Sequence, residues 1–184
     1  AAKLTAATVD AFGRLDVLIN NAGALVKRVR IEDYADDYVD AVLDLNVRQV
    51  VRLVHEGAAI MRAQGDGGSI INVSSIAARH GGGPGSVIYA ASKGFIATAT
   101  RGWAKEPVGD RIRVNAVSPG VIMTPFHERF STAEQLTAMQ AMIPMDRLGE
   151  PDDCAGAFLY LASEALSGYV TGPNLEVNGG QYMP

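Results

Sequence analysis

The stretch Ser69-Ile70-Ile71-Asn72-Val73-Ser74 is a short apolar run between Gly68 and Ser75. An apolar run of this length between turn residues is typical of a buried strand. We expect further strands at residues 16–20, 111–117 and 174–178. Strands that alternate with helices of 10 or more residues pair in parallel, with helices on both faces of the sheet. We therefore predict an α/β fold built on a doubly wound parallel sheet.

Outside these strands, apolar residues recur at helical spacing. We predict helices at residues 1–12, 33–61, 87–106 and 151–163. The second stretch is long enough for two helical pieces, which we expect to join near Asn46. Gly13 ends the first helix and Pro151 begins the last, as is typical of helix termini. We expect residues 121–142 to be irregular, with a short helix beginning at Thr132.

The composition is that of one globular domain, with 184 residues of which 48% are apolar and 20% charged. The net charge of −4 argues against nucleic acid as a partner. No apolar run approaches the ~18 residues of a membrane span, so we expect no membrane partner. The single Cys154 lies in an apolar helical pattern, where we expect a buried thiol and infer a reducing, cytoplasmic location.

Small polar groups follow three of the predicted strands. They are Asn20-Asn21-Ala22-Gly23, Ser74-Ser75 and Ser118-Pro119-Gly120. In a doubly wound sheet, ligands bind beyond the carboxyl ends of the strands, so we expect these groups to meet in one crevice. Asn and Gly are also common in turns that follow strands. The group at residues 20–23 can therefore also be interpreted as an ordinary turn.

Tyr89 and Lys93 stand four residues apart in a predicted helix, which places their side chains on one face. A free tyrosine titrates near pH ~10. A cation within ~4–6 Å in a poorly solvated cleft favours the phenolate and lowers that value. We therefore expect Lys93 to depress the pKa of Tyr89, so that Tyr89 can act as a general acid or base toward a carbonyl or alcohol oxygen.

In combination, these groups resemble the short-chain dehydrogenase/reductase family. The matching residues are Asn20-Asn21-Ala22-Gly23, Asn46, Ser75, Tyr89 with Lys93, Arg113-Val114-Asn115, Pro119-Gly120 with Ile122 and Thr124, and Gly172 leading to Asn178-Gly179-Gly180. Their order and spacing agree with the family over almost the whole chain. Residues 143–149 and 175–183 look most like the branch of 3-oxoacyl-acyl-carrier-protein reductases and polyol dehydrogenases.

The resemblance implies a catalytic group of Asn46, Ser75, Tyr89 and Lys93. Tyr89 would exchange a proton with the substrate oxygen, and Ser75 would donate a hydrogen bond to that oxygen. Lys93 would hold the nicotinamide ribose, and Asn46 would hold a water that connects Lys93 to solvent. Ser74 is the alternative to Ser75, but the second serine of the pair matches the family position.

The implied cofactor is NAD or NADP. Its implied contacts are Asn21, Ala22, Gly23, Tyr89, Lys93, Pro119, Gly120, Ile122 and Thr124. Family members begin with a glycine-rich turn that holds the pyrophosphate of the dinucleotide. No such run precedes Asp16. We therefore interpret residues 1–184 as a single Rossmann-like domain that lacks its first βαβαβ half, in a chain that is either a fragment or a truly truncated protein.

This interpretation leaves alternative functions. The first is an NAD(P)-dependent oxidoreductase that interconverts a secondary alcohol and a ketone, acts on a small molecule and assembles as a homodimer or homotetramer. The second is a truncated, non-catalytic scaffold or assembly fragment. A sugar-nucleotide epimerase shares the Tyr/Lys pair, but it would need a larger substrate domain.

Several polar residues stand outside the predicted site. His55, His80 and His127 are too scattered to form a metal site, and we predict no catalytic metal. The basic run Lys27-Arg28-Val29-Arg30 could meet an acidic carrier protein or a substrate phosphate, or be a solvated loop. Residues 126–145 are apolar and rich in Met, which suits a mobile lid over the substrate and equally suits plain packing.

Overall fold

The computed structural model describes all 184 residues. Its strands are β1 Val17–Asn20, β2 Gly68–Val73, β3 Ile112–Pro119 and β4 Asn174–Val177. Its α-helices are α1 Ala2–Phe12, α2 Asp36–Leu43, α3 Gln49–Gln64, α4 Ala77–His80, α5 Val87–Trp103, α6 Pro125–Phe130, α7 Ala133–Gln140, α8 Pro151–Ala162 and α9 Glu164–Ser167. A π-helical turn, Asp44–Arg48, joins α2 to α3, and short 3₁₀ helices lie at Ile31–Asp33 and Val108–Asp110.

The four strands form one parallel sheet in the order β1-β2-β3-β4. Asn20 pairs with Asn72, and Val73 pairs with Val117, so the carboxyl ends of β1, β2 and β3 lie at one edge. Parallel neighbours need long crossover connections, which the intervening helices provide. The prediction of an α/β fold with a parallel sheet is confirmed.

The hydrophobic core lies on both faces of the sheet, because successive residues of a strand point to opposite faces. Ile70 of β2 belongs to a buried cluster with Val54 of α3 and Ile96 of α5. The next residue, Ile71, belongs to a second cluster with Leu161 of α8. Helices therefore cover both faces, as a doubly wound sheet requires.

A series of buried polar side chains links the sheet to α5 near its carboxyl edge. Nδ2 of Asn20 donates to Oδ1 of Asn72 at 2.8 Å, and Nδ2 of Asn72 donates to Oγ1 of Thr100 at 3.0 Å. Burying an amide is costly unless it is hydrogen-bonded. These bonds fix β1, β2 and α5 relative to one another next to the polar groups that follow the strands.

Arg113 of β3 anchors the segment after α8. Its buried guanidinium donates to the carbonyl of Leu161, the hydroxyl of Ser167 and the carboxylate of Glu164, each at 3.0 Å. A carbonyl at the end of a helix lacks an intrahelical donor, and Arg113 supplies one to Leu161. Arg113 thus has a packing role within the Arg113-Val114-Asn115 run.

Several segments differ from the sequence prediction. Helix α3 continues to Gln64 rather than ending at residue 61, and α5 ends at Trp103 rather than near residue 106. The short helices α4 and α9 were not predicted, and residues 125–130, which we expected to be irregular, form α6. Pro125 occupies the first turn of α6, where its missing N–H costs nothing. The helix predicted from Thr132 is present as α7, whose first turn is closed by a capping box in which the Thr132 hydroxyl accepts from the Gln135 N–H.

Candidate active site

A cleft of about 700 Å³ lies beyond the carboxyl ends of β1, β2 and β3. The predicted site residues that line it are Asn21, Gly23, Ser75, Tyr89, Lys93, Pro119, Gly120, Ile122 and Thr124. Ala22 and Asn46 do not. The Ala22 carbonyl accepts a hydrogen bond from Nε2 of Gln49 at 2.7 Å, and Asn46 is buried behind the backbone of Gly23. The polar groups that follow the three strands therefore do meet in one crevice.

Tyr89 lies half-buried in the first turn of α5. Burial raises its pKa above the usual value of 10, because a phenolate loses solvation there, and a hydrogen bond with the Ser75 side chain lowers the pKa in part. We expected Lys93 to depress this pKa. That expectation is wrong, since Ser75 supplies the only opposing contribution. Tyr89 is therefore protonated at neutral pH and can donate its proton.

The two serines after β2 have different partners. The Ser74 hydroxyl is buried and donates to the Lys93 carbonyl at 2.9 Å. The Ser75 hydroxyl accepts from the Ala77 N–H at 3.1 Å, and the Ser75 side chain lowers the pKa of Tyr89. Ser75 is thus the serine whose hydroxyl shares the cleft with the phenol, while Ser74 secures α5 to the sheet.

Lys93 lies one turn further along α5 and is only 4% exposed. Its Nζ donates to the Val73 carbonyl at 2.8 Å and lies 5.8 Å from the centroid of the Tyr89 ring. Burial lowers the pKa of Lys93 from 10.5 to about 8, because the ammonium loses hydration. At pH 7 Lys93 is still mostly protonated, and the structure provides one acceptor for its three N–H bonds.

Asn46 lies in the π-helical turn, where we expected two helical pieces to join. Such turns are frequent at functional sites. Its Oδ1 accepts from the Ala24 N–H at 3.1 Å, and its Nδ2 donates to the carbonyls of Ala24 at 2.9 Å and Val42 at 3.0 Å. The Gly23 backbone lies between Asn46 and Lys93, since a Cβ on Gly23 would stand 2.7 Å from Oδ1 and 3.0 Å from Nζ. Asn46 and Lys93 therefore pack against the same glycine.

Residues 126–145, the segment that we call the lid, contribute one wall of the cleft. The Phe126 ring packs on Tyr89 with centroids 5.7 Å apart, and the lid methionines Met139 and Met142 also line the cleft. His127 faces the cleft from α6. Burial and the positive charge of Arg28 lower the pKa of His127. The lid therefore presents an apolar surface with one imidazole to the space above Tyr89.

The remaining polar groups form no metal site. No group of three or more His, Cys, Asp or Glu side chains lies close enough together to hold a metal ion. Cys154 is buried, as expected, and burial raises the pKa of its thiol. No helix of the protein combines the length and the apolarity needed to cross a membrane.

Known proteins match nearly the whole chain. A family model described as enoyl-(acyl carrier protein) reductase matches residues 1–181. The chain is 42% identical to the 3-oxoacyl-(acyl-carrier-protein) reductase of Thermotoga maritima over 176 residues, which cover 94% of this chain and 68% of that protein. The chain belongs to the short-chain dehydrogenase/reductase family. It is also 40% identical to the 3α-hydroxysteroid dehydrogenase of Mediterraneibacter gnavus over 170 residues, which cover 92% of this chain and 66% of that protein.

Solved structures agree with this assignment. The NADH-dependent reductase A1-R′, described as responsible for alginate metabolism, superposes with a TM-score of 0.89 at 40% identity, over 99% of this chain and 71% of that one. The same reductase in complex with NAD gives a TM-score of 0.84 at 40% identity, over 99% of this chain and 70% of that one. This short-chain dehydrogenase/reductase is therefore an oxidoreductase by class, and it spans about two thirds of the length of the curated relatives it matches.

Proposed function

We propose that this short-chain dehydrogenase/reductase interconverts a secondary alcohol and a ketone, with Tyr89 as the general acid and base. The observation that carries the proposal is the shared placement of Tyr89, Ser75 and Lys93 in one cleft, with the Ser75 side chain close enough to Tyr89 to lower the pKa of the phenol. Two hydroxyls this close can both contact a third oxygen atom, which in this proposal belongs to the substrate.

In the reductive direction, Tyr89 gives its proton to the substrate carbonyl oxygen. Ser75 donates a hydrogen bond to the same oxygen as negative charge develops on it. The raised pKa of Tyr89 suits this direction, because the phenol holds its proton at neutral pH. In the oxidative direction the phenolate removes the proton of the alcohol.

Asn46 would continue the path of the proton to solvent. Its Oδ1 and the Nζ of Lys93 flank the same Gly23 backbone, at 2.7 Å and 3.0 Å from the point where a Cβ would stand. A carbonyl oxygen has two lone pairs, of which Oδ1 uses one for the Ala24 N–H. The other can accept a water that also contacts Lys93.

NAD or NADP fits the residues of the cleft. Lys93 has N–H bonds beyond the one that Val73 accepts, and these can donate to ribose hydroxyls. The other residues proposed to hold the dinucleotide are Asn21, Ala22, Gly23, Pro119, Gly120, Ile122 and Thr124. A bound nicotinamide dinucleotide supplies the hydride in reduction and accepts it in oxidation. The relative solved in complex with NAD supports this assignment.

We also propose that the protein is a homodimer or homotetramer that assembles through α3 and α5. Apolar side chains on these helices remain exposed, at 40% for Val51, 52% for Val87 and 44% for Phe95. Exposed apolar groups on neighbouring helices favour association with a second copy. Light scattering at micromolar concentration should give a multiple of the monomer mass, and a monomer mass would contradict this proposal. A cytoplasmic location stays a prediction from the lone cysteine.

The function is tested by a spectrophotometric assay on the protein expressed from its complete open reading frame. The absorbance of the reduced nicotinamide is followed with NAD(H) and NADP(H) over a panel of ketones and secondary alcohols. Turnover of any alcohol and ketone pair supports the proposal. A folded protein that turns over none of them would instead support the scaffold interpretation.

A further inference from the structure

The cleft is lined by basic side chains and by no carboxylate. Arg28, His80, Lys93 and His127 border it, and no Asp or Glu does. The chain as a whole carries a net charge of −4, so the cleft has the opposite sign from the protein around it. A groove lined by one sign of charge concentrates ligands of the other sign. Lys93 is already assigned to the cofactor, which leaves Arg28 as the charged group of the cleft without a role.

Arg28 is held at the mouth of the cleft between two walls. Nε and Nη2 donate to the Phe130 carbonyl at 3.1 Å and 3.0 Å, and Nη1 donates to the Pro84 carbonyl at 3.0 Å. Phe130 ends α6 in the lid, and Pro84 lies in the loop before α5. The same loop is tied to the next residue, because the Val29 N–H donates to the Gly85 carbonyl at 3.0 Å. The guanidinium is therefore fixed by neutral backbone groups.

The charge of Arg28 has no acidic partner, in contrast to that of Arg30. Lys27 lies 5.7 Å from the centroid of the Tyr38 ring, and Arg30 forms an ion pair with Glu32 at 2.9 Å. Three of the five N–H bonds of Arg28 are used by carbonyls, and one on each Nη remains. Paired N–H bonds of a guanidinium match the two oxygens of a carboxylate. Arg28 is thus a cation in a fixed position with two N–H bonds free to bind a ligand.

Helix α6 contacts both Arg28 and Tyr89. Phe126 in the first turn of α6 packs on Tyr89, and Phe130 at the end of the same helix holds Arg28. Tyr89 and Arg28 also line the same cleft, so a compound held there can contact both. His127 lies between these two points on α6 and responds to the charge of Arg28.

We propose that the substrate is a small keto acid or hydroxy acid, and that Arg28 binds its carboxylate while Tyr89 and Ser75 act on the keto or hydroxyl oxygen. This substrate class rests on the proposed oxidoreductase function. A planar carboxylate matches the two remaining N–H bonds of the Arg28 guanidinium. Arg28 is a specificity residue in this proposal and takes no part in the proton transfer.

The test compares keto acids with their primary amides, which have the same shape and no charge, as substrates of the full-length protein. We expect the wild-type protein to prefer the acids. Arg28→Gln should lower kcat/KM for the acids on the order of 100-fold, mainly through KM, and leave kcat/KM for the amides unchanged. Arg28→Lys keeps the charge and should lose less. Arg30→Gln is the matched control, because Arg30 lies outside the cleft, and it should change neither value.

Three results would overturn the proposal. Equal losses for acids and amides in Arg28→Gln would mean that Arg28 only joins the two walls of the mouth. A wild-type protein that reduces amides and neutral ketones as well as the acids would exclude a carboxylate site, and this comparison needs no variant. If no compound is turned over, the proposed oxidoreductase function fails, and the substrate assignment fails with it.

Discussion

Gly23→Ala tests the geometry that brings Asn46 and Lys93 together. An alanine Cβ would stand 2.7 Å from Oδ1 of Asn46 and 3.0 Å from Nζ of Lys93, closer than the ordinary contact of 3.4–4 Å. Neither atom can easily retreat. Asn46 makes three hydrogen bonds and is fully buried. Lys93 is bonded to the Val73 carbonyl at 2.8 Å and is also buried.

Relief of this contact requires the Asn46 amide or the Lys93 ammonium to move. Overpacking of a buried site costs about 1–3 kcal/mol, and a lost hydrogen bond to a charged group costs a similar amount, about 1.5–3 kcal/mol. We expect one of these two costs to apply, and hence a fall of about 1–3 kcal/mol in the free energy of unfolding. In a chain of this size each kcal/mol lowers the melting temperature by about 2–4 °C. Since a misplacement of ~1 Å costs up to about 100-fold in rate, kcat should fall by roughly 10-fold to 100-fold.

The assay combines thermal unfolding with steady-state kinetics of cofactor turnover. Gly102→Ala is the matched control, because Gly102 lies in α5 with no atom within 4 Å of a Cβ placed there. Alanine at that position should stabilise the helix by up to about 1 kcal/mol and leave kcat unchanged. Wild-type stability together with wild-type kcat in Gly23→Ala would refute the reasoning, because the contact would then constrain neither side chain.

Three further predictions concern the cleft and the core. Reduction should slow as the pH rises through about 8, because Lys93 then loses its proton and its charge; a pH profile of kcat that stays flat above that value contradicts this. Ser75→Ala should lower kcat by about 100-fold or more with little change in melting temperature. Ser74→Ala should instead lower the free energy of unfolding by about 1–3 kcal/mol, because the buried Lys93 carbonyl loses a donor. The opposite pattern would make Ser74 the serine that acts on the substrate oxygen. Met61→Ala removes a fully buried side chain and should lower the free energy of unfolding by about 2–5 kcal/mol in chemical denaturation, so a loss well below that range would mean that the core is not packed as described.

Short apolar runs between turn residues predict the four strands to within a residue or two of their bounds. A strand covered on both faces must be apolar throughout, and this signal is local in the sequence. Helix α6 carries no such signal, because six residues are too few to establish a helical period. Thr124 followed by Pro125 is a recognisable start of a helix, and this pair could have indicated α6.

The predicted site residues meet in the cleft because the carboxyl ends of parallel strands share one edge, which the order of the elements already implies. The pKa of Tyr89 could not be predicted in this way. It depends on burial beneath Phe126, which belongs to a distant segment. The role of Arg28 could not be predicted from the sequence either, because three cations stand in one run. Only the path of the folded chain brings Arg28 rather than Lys27 or Arg30 to the cleft.

The rate of Tyr89→Phe tests the central claim most directly. The substitution removes one oxygen atom from a ring that remains packed on Phe126, so the melting temperature should stay at the wild-type value. Tyr169→Phe is the matched control, because the Tyr169 side chain is fully exposed. General acid and base catalysis contributes about 10²-fold to 10⁴-fold, and we expect kcat of Tyr89→Phe to fall by that factor while Tyr169→Phe remains at the wild-type rate. A folded Tyr89→Phe protein with near wild-type kcat would contradict the account.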